Sequence, residues 1–238
     1  MFLRLLKADL VKCKRSWMWF LLLLGPIGIV GLQAVNFGLR YDYLTDVYAD
    51  DLWEGLLSTI QMFSPPVILL GMAIITSMLA GLEHDTNAWK QLLANPIHKH
   101  ALYWSKCVIG IGMLLVSCLV LAIGSLILGL ALSFGTDIPW AILMKSSFLP
   151  FLAASPFFIL QIWLAVTFKN QSVAITTGVL GAAWSTYSSM LPIWNPVSWP
   201  SLYNEYGIPL LNVGLGLGLA LILGMLSTLD FVRKDVMH

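Results

Sequence analysis

Three of the four histidines, His84, His98 and His100, lie in one short polar stretch and raise the question of metal binding. Zinc sites use spacings such as HExxH or paired Cys and His ligands. These histidines follow neither pattern, and Pro96 separates the first from the other two. We therefore predict no metal site and interpret them as polar side chains near a membrane surface, whose charge could respond to pH.

The sequence also lacks the combination of residues that a hydrolase needs. The apolar stretches contain several serines, but every histidine lies outside them, so no general base accompanies a candidate nucleophile. A GxxxxGK[ST] loop, which cradles phosphate in ATPases, does not occur in the sequence. The sequence therefore predicts a chain without catalytic residues or a cofactor of its own.

The three cysteines, Cys13, Cys107 and Cys118, are odd in number and have no paired spacing. They predict neither a disulfide framework nor a zinc site. We interpret them as small buried hydrophobic residues.

The composition indicates that any functional residue is positioned by apolar helices that cross a membrane. Of the 238 residues, 58% are hydrophobic and 11% are charged, and mean hydropathy is +0.83. Soluble domains carry about 25% charged residues, so this is a membrane protein. A helix needs about 20 apolar residues to cross the hydrocarbon core. The sequence predicts an all-α single domain, 1–238, with six spans at residues 17–35, 59–82, 107–134, 141–168, 173–191 and 210–232.

The first span is too long for the apolar part of a cleaved signal peptide and is expected to remain in the mature protein. Prolines inside or beside spans are expected to mark kinks, since neighbouring helices can satisfy the freed carbonyls.

Basic residues give the orientation, because Lys and Arg are enriched in cytoplasmic connections. If six spans alternate, only Arg40 and Lys145 fall on the outer side. Eleven fall on the other side: Arg4, Lys7, Lys12, Lys14, Arg15, Lys90, Lys99, Lys106, Lys169, Arg233 and Lys234. Both termini are therefore predicted to be cytoplasmic. The net charge of +1 gives no indication of a nucleic-acid partner.

The polar stretch GLEHDTNAWKQLLANPIHKHALYWSK, residues 81–106, becomes the cytoplasmic link between spans two and three. Trp89, Leu92 and Leu93 are spaced i, i+3 and i+4, which predicts a short amphipathic helix ended by Pro96. Such a helix can lie on lipid or dock into a groove of another protein. Glu83 and Asp85 favour the protein slightly, since carboxylates are unfavourable beside anionic lipid.

This stretch resembles the segment after span two of ABC-2-type permeases. In that family, a Glu at the end of the span precedes a polar turn, a short coupling helix, a Pro and a Tyr-containing run that ends near a Lys. Glu83, the DTNAWKQLL run, Pro96, Tyr103 and Lys106 fit. Members often carry Gly-Thr and a basic residue just after the Pro, and this chain instead has Asn87, His98 and Lys99. By this resemblance, the residues that couple to an ATPase are Glu83, Asp85, Trp89, Lys90, Leu92, Leu93 and Pro96.

The resemblance extends over nearly the whole chain. Residues 1–16 resemble the family's amphipathic elbow helix, with Leu3, Leu6, Leu10 and Cys13 on one face. PIWNPVSWPSLYNEYG resembles the segment between spans five and six that re-enters the outer leaflet, with Pro192, Asn195, Pro196 and Trp199 as its candidate residues. The small size is similar to that of permeases of lantibiotic and bacitracin immunity exporters.

The resemblance implies a permease subunit in a bacterial plasma membrane that pairs with a second permease, identical or related, and two copies of a separate ATP-binding subunit. ATP and Mg²⁺ would be bound by that partner, and the expected cargo is a peptide antibiotic or another amphipathic or lipid-like substrate. The acidic outer loop RYDYLTDVYADDLWEG would attract a cationic peptide, but the retention of basic residues on the inner side is sufficient to explain its acidity.

Two other classes of protein remain open. An ion-driven secondary carrier usually places ionisable residues near mid-membrane. Only Lys145 and Asp230 fall well inside the predicted spans, each near enough to an interface to reach water, which counts against a carrier. The third possibility is a non-transporting scaffold, such as an immunity protein that sequesters a peptide.

Overall fold

The computed structural model describes residues 2–14, 16–85 and 99–233. Its described part is helical and contains no strand. The helices are α1 (Phe2–Lys14), α2 (Met18–Leu39), α3 (Tyr41–Val47), α4 (Leu52–Asp85), α5 (Lys99–Ala131), α6 (Trp140–Ala153), α7 (Ser155–Thr167), α8 (Ser172–Ser185) and α9 (Pro209–Arg233). Two 3₁₀ turns, Ser188–Met190 and Pro196–Ser201, lie between α8 and α9.

Four described helices, α2, α4, α5 and α9, are long and apolar enough to cross a membrane, and a bent pair, α6 and α7, makes up to five. The pair bends by 45° at Ala154. Pro156 stands in the first turn of α7, where its ring and missing N–H prevent one helix from continuing through the break. The kink predicted inside span four is therefore a break between two helices.

The described residues do not form the six full-length spans that the sequence predicts. In place of the fifth predicted span, 173–191, α8 ends at Ser185 after 14 residues, about 21 Å at 1.5 Å per residue. That length is short of a hydrocarbon core about 30 Å thick. The run of Ser, Thr and Tyr after Trp184 has modest helix propensity, and the chain turns there into the first 3₁₀ segment.

α4 is the central helix of the bundle and packs most extensively against α8, α7 and α2. It runs without a break through Pro65 and Pro66. Gly178 of α8 allows this close approach, because a Cβ there would overlap the Cβ of Ala73. The largest core cluster surrounds the second half of α4 and includes all three cysteines, which are buried.

Candidate functional site

A cluster of charged side chains is buried at the end of the bundle where α4 stops and α5 starts. Lys106 Nζ lies 2.5 Å from Glu83 Oε1 and 3.1 Å from Asp9 Oδ2. The Lys106, Glu83 and Asp9 side chains are only 5%, 1% and 7% exposed. Lys12 Nζ lies 3.4 Å from Glu83 Oε1 and 3.6 Å from Asp9 Oδ1, and its side chain is 41% exposed. We call these four residues the ion cluster.

Three helices supply the ion cluster. α1 contributes Asp9 and Lys12, α4 contributes Glu83 two residues before its end, and α5 contributes Lys106 from its second turn. Ser105 Oγ donates to Asp9 Oδ2 at 3.1 Å and so adds a second link between α1 and α5. The cluster therefore fastens α1 to both helices that flank residues 86–98.

The charges of the ion cluster balance, with two carboxylates and two ammonium groups. Buried ions lose their hydration, and only close partners of opposite charge repay that loss. Lys106 is the central member, because it alone approaches both carboxylates within about 3 Å. Glu83 Oε2 is buried and has no hydrogen-bond partner among the described residues, so this carboxylate retains capacity for a further donor.

Cys13 lies on α1 beside the ion cluster and is 2% exposed. Burial raises the pKa of its thiol, and the positive charge of Lys106 opposes that shift. A raised pKa leaves the thiol protonated near neutral pH, so Cys13 is a packing residue and a poor nucleophile.

The elbow prediction placed Leu3, Leu6, Leu10 and Cys13 on one face of α1. Leu6 packs against the main core, but Leu3 and Leu10 are 73% and 48% exposed. The inward face is centred on Cys13, which belonged to the predicted face, and on Asp9, which did not. Asp9 is buried there because its carboxylate pairs with Lys106.

The predicted coupling residues are described only in part. Glu83 belongs to the ion cluster, and Asp85 is the last residue of α4. Five predicted coupling residues lie outside the described residues: Trp89, Lys90, Leu92, Leu93 and Pro96.

Sequence reasoning missed Asp9, Lys12 and Ser105 as site residues, and it gave Lys106 only as part of the family pattern. One signal was available for Asp9. It follows Leu6 by three residues and precedes Cys13 by four, which places an acidic side chain on the apolar face of a basic helix.

The four residues predicted for the outer segment lie at the other end of the bundle. Pro192 is exposed, and its carbonyl accepts from the Asn195 N–H at 3.0 Å. The Asn195 side chain caps the second 3₁₀ turn by accepting from the Val197 N–H, and Pro196 occupies the first position of that turn. Trp199 is buried, and its indole donates to the Ile193 carbonyl at 2.6 Å.

This outer segment is bonded to two long helices. The buried Asn212 of α9 donates toward the carbonyls of Trp199 and Tyr203, both at 3.3 Å. Gln61 of α4 donates to the Ser201 carbonyl at 2.9 Å. Gln61 and Glu83 are 22 residues apart on one unbroken helix, about 33 Å, so α4 connects the outer segment to the ion cluster.

The two charges predicted inside spans have different surroundings. Lys145 is exposed on α6. Asp230 lies near the end of α9, where its carboxylate accepts from the Trp163 indole at 2.9 Å. Neither lies at the centre of the bundle. In the described part of the chain, no group of three or more His, Cys, Asp or Glu residues could hold a metal ion.

Long apolar helices packed around the buried ion cluster define a multi-pass membrane protein. Residues 5–184, about three quarters of the chain, match the family described as ABC-2 family transporter protein. The chain belongs to this family, whose permeases are membrane subunits of ABC transporters that work with an ABC ATPase subunit. No curated protein and no solved structure gives a significant match.

Proposed function

We propose that this chain is the permease of an exporter and that residues 83–96 receive the motion of a separate ATP-binding subunit. The ion cluster is the observation that supports this proposal. It stands where α4 ends and α5 begins, so a force on the connecting residues reaches both helices at once.

In the proposed mechanism, residues 83–96 act as a lever between the ATP-binding subunit and the helices of the permease. ATP-driven closure of two motor subunits displaces the segment that contains Trp89 and Leu93, and Glu83 and Lys106 keep the ends of α4 and α5 moving together. Because α1 is fastened to the same pair through Asp9, it moves with them. The two permeases then open toward the outside, with both termini of this chain in the cytoplasm of a bacterium.

A peptide antibiotic is the proposed cargo, which would make the complex a self-immunity exporter of the lantibiotic or bacitracin kind. Two features support a cationic amphipathic substrate. The described acidic residues Asp42, Asp46 and Glu54 lie near the end of the bundle that carries the outer segment, and exposed aromatic side chains, including Trp194 and Tyr203, lie on that segment. An acidic surface raises the local concentration of a cationic peptide.

The first experiment identifies the partners. The chain is extracted from its native membrane in mild detergent, and the copurifying proteins are identified by mass spectrometry. We expect a P-loop ATPase at about one copy per permease, as two motors in a complex of two permeases require. A second, related permease in the same complex would establish a heterodimer. Reproducible absence of an ATPase from an intact, monodisperse preparation would refute the proposal.

A matched pair of variants tests the lever. Trp89→Glu with Leu93→Glu places two charges on the predicted apolar face, whereas Gln91→Glu with Asn95→Glu places two charges on the opposite face of the predicted helix. We expect only the first pair to lose the ATPase or its stimulation, while both still insert. Unchanged export and binding in the first pair would remove these residues from the docking surface.

Inhibition of the motor separates the remaining alternatives. An ATPase-dead partner should abolish both export and protection if the proposal holds. Protection that persists indicates a peptide-binding scaffold, and transport that stops only when the ion gradient collapses indicates a secondary carrier.

A further inference from the structure

The outward face of α1 carries a regular stripe of alternating leucine and lysine. Leu3, Lys7, Leu10 and Lys14 are spaced i, i+4, i+7 and i+11, so they fall within about 60° of arc on a helix with 3.6 residues per turn. All four side chains are exposed, Leu3 by 73% and Leu10 by 48%. We call these four residues the α1 stripe.

The position of α1 places the stripe at the membrane surface. Only three residues separate the end of α1 from the start of α2, the first long apolar helix. Trp17, in that connection, is 75% exposed, and Phe20 in the first turn of α2 is 57% exposed. Tryptophan concentrates at the interface between water and lipid. These exposed aromatic side chains, together with the short connection to α2, support a place for α1 near the interface between water and lipid.

The chemistry of the stripe fits one kind of partner. Leucine side chains at this depth enter the boundary between headgroups and acyl chains, while lysine stems extend along the apolar surface and keep their ammonium groups among the phosphates. A zwitterionic headgroup offers these lysines no net charge, whereas an anionic phospholipid does.

We propose that the α1 stripe binds anionic phospholipid and thereby holds α1 against α4 and α5. Asp9 projects about 130° around the same helix from the centre of the stripe, where it pairs with Lys106 and accepts from Ser105 Oγ. A lipid bound to the outward face restrains the helix that carries Asp9, so headgroup charge controls how firmly α1 is attached to α4 and α5. Lipid binding depends on α1 alone, and its effect on transport rests on the proposed function.

The test compares two double variants that remove the same charge. Lys7→Gln with Lys14→Gln removes the lysines of the stripe, and Lys145→Gln with Lys169→Gln removes two exposed lysines elsewhere. Each chain is purified, exchanged into nanodiscs of phosphatidylcholine with increasing phosphatidylglycerol, and examined by native mass spectrometry for retained phosphatidylglycerol. Maleimide labelling of Cys13, which is 2% exposed, reports detachment of α1.

We expect retention of phosphatidylglycerol to weaken about 30-fold in the stripe variant, or about five-fold per lysine, and less than two-fold in the control. Cys13 labelling should slow as phosphatidylglycerol increases in the parent and the control, but not in the stripe variant. Equal retention in the two variants would overturn lipid binding. Retention that falls without any change in Cys13 labelling would overturn the link to the ion cluster.

Another occupant would give a different result. If the stripe variant retains phosphatidylglycerol but loses its copurifying ATPase, the stripe is a protein-docking surface and the lipid proposal is wrong. Because lipid retention is measured without the ATPase, failure of the proposed function leaves this part of the test intact.

Discussion

Replacement of Lys106 by methionine removes the central charge of the ion cluster while retaining a long side chain. Asp9 and Glu83 then remain, each with its side chain less than one tenth exposed. Among the described residues, their remaining cation is Lys12, which lies 3.4 Å or more away and is 41% exposed, so solvent screens its contribution. Removal of one partner from a buried ion pair costs about 3–5 kcal/mol. We expect a loss of this size for Lys106→Met.

The loss can be measured on the purified chain in detergent. Each kcal/mol corresponds to about 2–4 °C in a chain of this length, so the apparent Tm should fall by about 10 °C. Glu83→Gln should cost less, because Lys106 keeps Asp9 at 3.1 Å. Detachment of α1 should also expose Cys13 to maleimide, which peptide mapping can distinguish from labelling of the other two cysteines.

Two controls test the electrostatic reasoning itself. Lys145→Met changes an exposed lysine and should stay within about 0.5 kcal/mol of the parent. The triple variant Asp9→Asn, Glu83→Gln and Lys106→Met removes all three buried charges and should recover most of the stability that Lys106→Met alone loses. If Lys106→Met melts like the parent, or if the triple variant is no more stable than the single one, the reasoning is refuted.

Three further predictions concern packing, the outer segment and the thiol. Gly178→Val forces a side chain against Ala73 and should cost about 1–3 kcal/mol in stability. At Gly181 an added Cβ would lie 3.8 Å from its nearest neighbour, so Gly181→Val should cost less. Equal Tm values for the two variants would contradict the Gly178 contact. Asn212→Leu removes the Asn212 donor from the Tyr203 carbonyl and one of two donors from the Trp199 carbonyl, which the Leu202 N–H still contacts, a loss of about 1–3 kcal/mol. Limited proteolysis should then cut residues 192–208 faster than in the parent. Because burial raises the pKa of Cys13, its thiolate fraction at any pH below that pKa is smaller than that of a free cysteine. Its labelling from pH 7 to 8.5 should therefore be slower than in chemically unfolded protein, and equal rates would refute its burial.

Much of the membrane architecture could be predicted from the sequence. Long apolar runs located α2, α4, α5 and α9, since length and composition alone decide whether a helix can cross lipid. The ABC-2 prediction was made from Glu83, Pro96 and Lys106, and the family match over residues 5–184 confirms it.

The same apolar criterion overestimated the fifth span. Residues 173–191 are apolar enough on average, but α8 ends at Ser185 and the chain then forms 3₁₀ turns held by Asn195 and Asn212. Hydropathy measures composition, and these turns depend on hydrogen bonds between particular side chains and distant carbonyls.

The amino-acid sequence by itself determined that this is a helical membrane protein of the ABC-2 type, because apolar length and local motifs are properties of neighbouring residues. Only the tertiary structure decided that Asp9 faces inward and shares Lys106 with Glu83. Asp9 is separated from Glu83 and Lys106 by more than seventy residues of chain. A charge so distant in sequence becomes favourable inside the protein only when folding brings its partner within hydrogen-bond distance.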